Sequence, residues 1–179
     1  YSQRVKAVRW FERFAPGKLK LYGNGWKVPP KRFGRLGKAR YRLEKIIPWL
    51  SGKPVFPSYQ GPAKTKYAVL SNTKFCICFE NARDISGYIT EKIFDCLFAG
   101  CVPIYWGDAN IAQFVPADCF IDFRQFSSFK ELYQFLESMT PEQFLGYQQA
   151  ARKFLASPQF TPFSSQHFAK TIIHTPYRT

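Results

Sequence analysis

Residues 75–107 read FCICFENARDISGYITEKIFDCLFAGCVPIYWG, and this stretch decides the fold. Phe75 to Phe79 is a compact apolar run with the length of a buried strand. Glu80 to Tyr88 is a polar loop that contains Gly87. Thr90 can cap a helix running to Ala99, where Gly100 stops it. Val102 to Trp106 is a second buried strand, ended by Gly107. Two such strands joined through a helix form a parallel pair, because parallel neighbours need a long crossover.

The pattern extends in both directions. Downstream, a short helix around Ala109 to Phe114 precedes Pro116, and Cys119 to Phe123 reads as a third strand. Ser128 and Glu131 form a capping box for a helix to about Glu137. Thr140, Pro141 and Gln143 open the next helix, to about Leu155, and a last helix covers Ser165 to Ile173. Upstream, Ser2 can cap a helix through Phe14, with Val5, Val8, Phe11 and Phe14 on its inner face. Leu19 to Tyr22 reads as a short strand before Gly23-Asn24-Gly25. Lys27 to Lys53 carries nine Lys/Arg against Glu44, broken by Pro29, Pro30, Gly34, Gly37 and Pro48. It reads as a basic loop or insertion with a short helix around Ala39 to Ile46. The fold class is α/β with a parallel sheet.

Composition narrows the function classes. An apolar fraction of 46% over 179 residues supports a real core and excludes wholesale disorder. The longest apolar run, Phe75 to Phe79, is far short of the roughly 18 residues of a membrane span. The chain opens on Tyr1 and its single Met is Met139, so it is expected to be a piece of a longer protein. The net charge of +14 is uneven: Tyr1 to Lys74 holds 18 Lys/Arg and 2 acids, and the remainder is net −2. Such asymmetry points to an anionic partner. The five cysteines, Cys76, Cys78, Cys96, Cys101 and Cys119, contain no CxxC pair and read as buried reduced thiols in a reducing compartment. With only His167 and His174 available, both near the end of the chain, no metal site is expected.

In an open α/β sheet, ligands bind beyond the carboxyl ends of the strands. The loop after Phe79 leads there directly into the amino end of the Thr90 helix. A helix amino terminus offers N–H groups and partial positive charge to an anion. Lys92 in that first turn opposes the helix dipole unless an anion is near. Glu91 suits a vicinal diol such as a ribose, and Asn81 and Tyr88 can donate to phosphate oxygens. A nucleoside diphosphate uses all of these groups at once. GxxxxGK[ST] and GxGxxG are both absent, so neither a P-loop nor a dinucleotide fingerprint applies.

Phe79-Glu80-Asn81, Gly87-Tyr88-Ile89-Thr90-Glu91-Lys92 and Val102-Pro103-Ile104-Tyr105-Trp106-Gly107 resemble the signature of the α-1,3/1,4-fucosyltransferases, glycosyltransferase family 10. The likeness continues from Phe114 to Phe123, and more loosely into Leu21-Tyr22-Gly23-Asn24-Gly25-Trp26. The resemblance implies a GT-B architecture of two Rossmann-like domains. Residues 1–179 then form the carboxyl-terminal, GDP-fucose-binding half, without the amino-terminal acceptor domain. It implies donor binding by Asn81, Tyr88, Glu91 and Lys92, with Glu91 on the ribose and Lys92 on the pyrophosphate. An arginine of the first helix also serves phosphate in the family. Arg4 and Arg9 are both candidates, and Arg4 lies nearer the helix amino end. The general base belongs to the absent domain, so no catalytic residue is named. Glu80 is expected to be structural or sugar-binding.

The implied reaction is inverting transfer of L-fucose from GDP-fucose to a sugar hydroxyl, GlcNAc O3 of a lactosamine-type glycan. Cations and N–H dipoles at the β-phosphate stabilise the leaving group's charge while the sugar carbon becomes oxocarbenium-like. No DxD motif is present. No cofactor is therefore expected to be obligatory, and Mn2+ or Mg2+ would at most stimulate. The expected partners are the nucleotide sugar, a glycan acceptor on a glycolipid or lipopolysaccharide, and an anionic membrane surface touched by residues 27–53. The setting expected for a bacterial source is cytoplasmic and peripheral to the membrane, rather than the Golgi lumen. Two alternatives stand: a GT-B domain using another nucleotide sugar, and a nucleic-acid- or membrane-binding basic module. Against nucleic acid, the basic stretch carries no recognised motif.

Overall fold

The computed structural model describes residues 2–29, 33–51 and 54–174. Pro30, Lys31, Arg32 and Lys53 of the basic stretch lie outside the described residues. The chain divides into two compact units, residues 1–68 and 69–179.

The first unit opens with helix α1, Ser2–Phe14. Its buried face carries Ala7, Val8 and Phe11, with Ala15 just beyond its end. Phe14, expected on that face, is exposed, and Val5 is half-buried. On a 3.6-residue period Ala7, Phe11 and Val8 fall in that order across a stripe about 100° wide. Strand β1 is only Leu21–Tyr22, and it pairs in parallel with β2, Tyr59–Gly61, a strand the sequence pattern did not signal. Between them lies helix α2, Arg35–Ser51. The reading of this region as a loop with a short helix at 39–46 is corrected: the helix has 17 residues and runs through Gly37 and Pro48. A helical proline loses one N–H and crowds the carbonyl four residues earlier, but need not end the helix. A short helix α3, Lys66–Leu70, follows.

The second unit is a three-stranded parallel sheet in the order β3-β4-β5. β3 is Phe75–Phe79 and β4 is Val102–Trp106, in unbroken register from Phe75↔Val102 to Phe79↔Trp106. Helix α4, Glu91–Ala99, makes the crossover. Gly100 ends it in the left-handed conformation (φ 73°), and the N–H groups that follow return to Leu97 and Cys96 carbonyls. β5 is shorter than the expected 119–123, only Ile121–Asp122, because 3-10 turns at Ala117–Cys119 and Phe123–Gln125 take its ends. A 3-10 turn, Ile111–Gln113, replaces the short helix expected at 109–114.

Helices α5 (Phe129–Ser138), α6 (Pro141–Leu155) and α7 (Ser165–His174) follow. Thr140 and Gln143 make the complete capping box. At α5 only half of one forms: Ser128 accepts from Glu131 N, while the Glu131 carboxylate takes Ser127 N–H and hydroxyl. The core gathers Cys78, Ile93, Leu97, Tyr105, Ile111, Val115 and Phe154, from β3, α4, β4 and α6 among others. Burial of each large apolar side chain contributes about 1.5–3 kcal/mol. A rigid sheet edge results, with the carboxyl ends of β3 and β4 side by side.

Candidate functional site

The polar groups of the second unit converge beyond Phe79 and Trp106. Glu80, the first residue after β3, is buried, and its N–H donates to the Trp106 carbonyl at 2.8 Å. Its carboxylate accepts from Thr90 N–H (3.0 Å), from the Thr90 hydroxyl (2.8 and 2.9 Å) and from Lys92 Nζ (2.9 Å). Lys92 Nζ also donates to the Thr90 hydroxyl oxygen at 2.6 Å. A buried carboxylate must be paired and hydrogen-bonded, and this one is both.

This network corrects two expectations. Thr90 is the residue before α4, but its hydroxyl makes no cap to the helix; Glu80 takes it instead. The anion that Lys92 needs so close to a helix amino end is supplied within the protein, by Glu80. Glu80 is therefore the structural brace that joins β3 to α4.

The Lys92 side chain keeps 23% of its surface exposed, against 0% for Glu80. An ammonium has three N–H donors, and the two bonds to Glu80 and Thr90 use two of them. Asn81 and Glu91 are exposed and Tyr88 is half-buried. These four predicted residues thus lie in one loop and the first turn of one helix. Arg4 and Arg9 lie in the first unit, on α1. Arg9 Nη1 donates to the Val55 carbonyl at 2.7 Å and pairs with Glu12 at 3.3 Å. Its guanidinium stands 4.1 Å from the Phe56 ring centre. Arg4 is half-buried.

Four further residues shape the site, none of them among the predicted donor-binding residues. Asp108 is buried, accepting from Gly87 N at 2.7 Å and Asn110 N at 2.8 Å. It ties the 81–89 loop to the end of β4. Gly107 lies where Glu80 and Tyr105 close in: a Cβ there would meet Tyr105 Oη at 2.4 Å and Glu80 Cγ at 2.6 Å. The Tyr105 hydroxyl accepts from Asp108 N at 3.1 Å. Burial pushes its pKa up to about 12, against the hydrogen bond from Asp108 and with the nearby Glu80 and Asp108 charges adding to the rise. Arg83 lays its guanidinium 4.4 Å over the Trp106 ring, at the same end of the sheet. The signal for Gly107 and Asp108 was their place at a strand's carboxyl end, where α/β sheets build sites.

Comparison with known proteins adds an independent line. Residues 42–168 match the model of glycosyltransferase family 10 (fucosyltransferase), C-terminal part. An alpha-(1,3)-fucosyltransferase of Helicobacter pylori is 35% identical over 95 residues, which is 53% of this chain and 20% of that protein. An alpha-(1,4)-fucosyltransferase of Arabidopsis thaliana is 37% identical over 73 residues, 41% of this chain and 18% of the relative. The matched stretches thus amount to about a fifth of these relatives' lengths. A crystal structure of an alpha1,3-fucosyltransferase with GDP-fucose aligns over all of this chain and 56% of that one, at 19% identity and a TM-score of 0.43.

Proposed function

Because the chain belongs to glycosyltransferase family 10 through the family's C-terminal part, we propose that its second unit holds the diphosphate of GDP-fucose for fucosyl transfer. The observation that carries this reading is the Glu80–Thr90–Lys92 network. It fixes one ammonium at the carboxyl end of β3 and the start of α4, with a donor to spare. Lys92 neutralises the pyrophosphate and stabilises the charge that develops on the leaving GDP. A cation held rigid beforehand needs no reorganisation as that charge appears. Glu91 takes the ribose hydroxyls, and Asn81 and Tyr88 donate to phosphate oxygens. The complete enzyme, a GT-B protein in this reading, transfers L-fucose with inversion to GlcNAc O3 of a lactosamine-type glycan. Its general base lies outside this chain.

GDP titration by calorimetry tests the donor assignment. GDP is expected to bind saturably and to be displaced by GDP-fucose and not by UDP-sugars. Equal competition by UDP-sugars would overturn it.

A second reading, for α2, rests on its own observation. Leu36, Leu43, Ile47 and Leu50 are exposed along one face, and Arg35, Lys38, Arg42 and Lys45 flank them. A basic amphipathic helix of this kind suits an anionic membrane surface. Flotation with liposomes should show binding that rises with anionic lipid, and indifference to lipid charge would end the reading.

A further inference from the structure

Three thiols meet where β3 packs on α4. Cys76 and Cys78 lie on β3 and Cys96 on α4, and the three sulfurs all lie within 4.8 Å of one another. Cys78 and Cys96 are 3.3 Å apart and buried, while Cys76 is half-buried. Spacing alone puts Cys76 and Cys78 on one strand face, and the crossover brings in Cys96 from 18 residues beyond Cys78.

We propose that this triad binds one soft, thiophilic ion in a three-coordinate, all-sulfur site. Ion–thiolate bonds of about 2.3 Å place sulfurs roughly 4 Å apart around a shared centre, so these sulfurs need only small side-chain rotations. The donor set is thiol alone, which selects soft ions over hard ones. Charge selects further. A site in which two of the three sulfurs are buried favours a neutral product. Trivalent arsenic meets that condition. Arsenous acid, As(OH)3, reacts with three thiols so that three As–O bonds are replaced by three As–S bonds. Each thiol proton leaves with a hydroxide as water, and nothing is oxidised or reduced. The site stands under the donor network without sharing its residues, although the Cys78 thiol touches the Lys92 carbonyl at 3.5 Å.

The test is titration of the reduced full chain with arsenite, read by native mass spectrometry and by counting free thiols. The expected result is one arsenic per chain and three of the five thiols protected. Cys76→Ala should weaken binding at least tenfold, and Cys76→Ser gives the same test if the alanine variant does not fold. Cys101→Ala and Cys119→Ala should leave affinity within twofold. Failure to bind arsenite, or binding that survives loss of the Cys76 sulfur, would overturn the site. So would loss of binding on Cys101→Ala, since that would make the site four-coordinate.

Discussion

Replacing Lys92 by Met removes the ammonium and leaves its aliphatic bulk. The Glu80 carboxylate, 0% exposed at its side chain, then loses its cation. Breaking a buried ion pair from one side costs 3–5 kcal/mol as a rule. Here Thr90 still donates through its N–H and hydroxyl, so we expect about 2–3 kcal/mol. For a chain of this size that lowers Tm by about 4–12 °C. Calorimetric GDP affinity should fall as well, by about 10- to 100-fold, the worth of a charged hydrogen bond to phosphate. The decisive measurement is the double variant Lys92→Met/Glu80→Gln. With the buried charge removed, at least half of the lost Tm should return. GDP affinity should not, because the cation is still missing. If the double variant regains GDP binding along with stability, Lys92 serves only to satisfy Glu80 and the donor assignment is refuted. If Lys92→Met leaves Tm within about 1 °C, the pairing itself is not a stabilising one.

Gly107→Ala should cost about 1–3 kcal/mol in thermal unfolding, because the new methyl meets Tyr105 and Glu80, both buried. Gly146→Ala, on helix α6 with open space around it, should instead stabilise by about 0.5–1 kcal/mol; equal effects would refute the crowding argument. Asp108→Ala leaves the Gly87 and Asn110 N–H groups without their acceptor and should cost about 2 kcal/mol, with faster hydrogen exchange across 81–89. Ser127 holds the Glu131 carboxyl below its ordinary value, so its stabilisation is present above the unfolded value of about 4.3 and is lost as pH falls through the lower folded one. Glu131→Gln should therefore flatten the stability–pH curve below about pH 4.5, and an unchanged slope there would count against it. Arg9→Ala should loosen residues 55–58 with little change in GDP affinity, since its guanidinium is engaged by Val55, Glu12 and Phe56.

The parts of the chain that were legible are those where one local signal decides. β3, β4 and the end of α4 at Gly100 follow from short apolar runs and one left-handed glycine, and they lie where expected. α2 was misread because Gly37 and Pro48 are local punctuation, whereas a helix is the sum over its whole length. β2 could not be read, since three residues carry no period and the strand exists through its pairing with β1.

The site shows the same division more sharply. A lysine near a helix amino end is electrostatically wrong by itself, so Lys92 correctly signalled an anion. What the sequence could not say is whether that anion is a ligand or a neighbour. The structure supplies one neighbour, Glu80, twelve residues away, and one relay, Thr90, whose hydroxyl is diverted from the cap it was expected to make. The Lys92 ammonium is held by one carboxylate and one hydroxyl. It is fixed tightly enough to be preorganised and still retains a donor. Glu80 thus makes a phosphate-binding role for Lys92 cheaper, because the entropy of placing a long, flexible cation is already spent in folding.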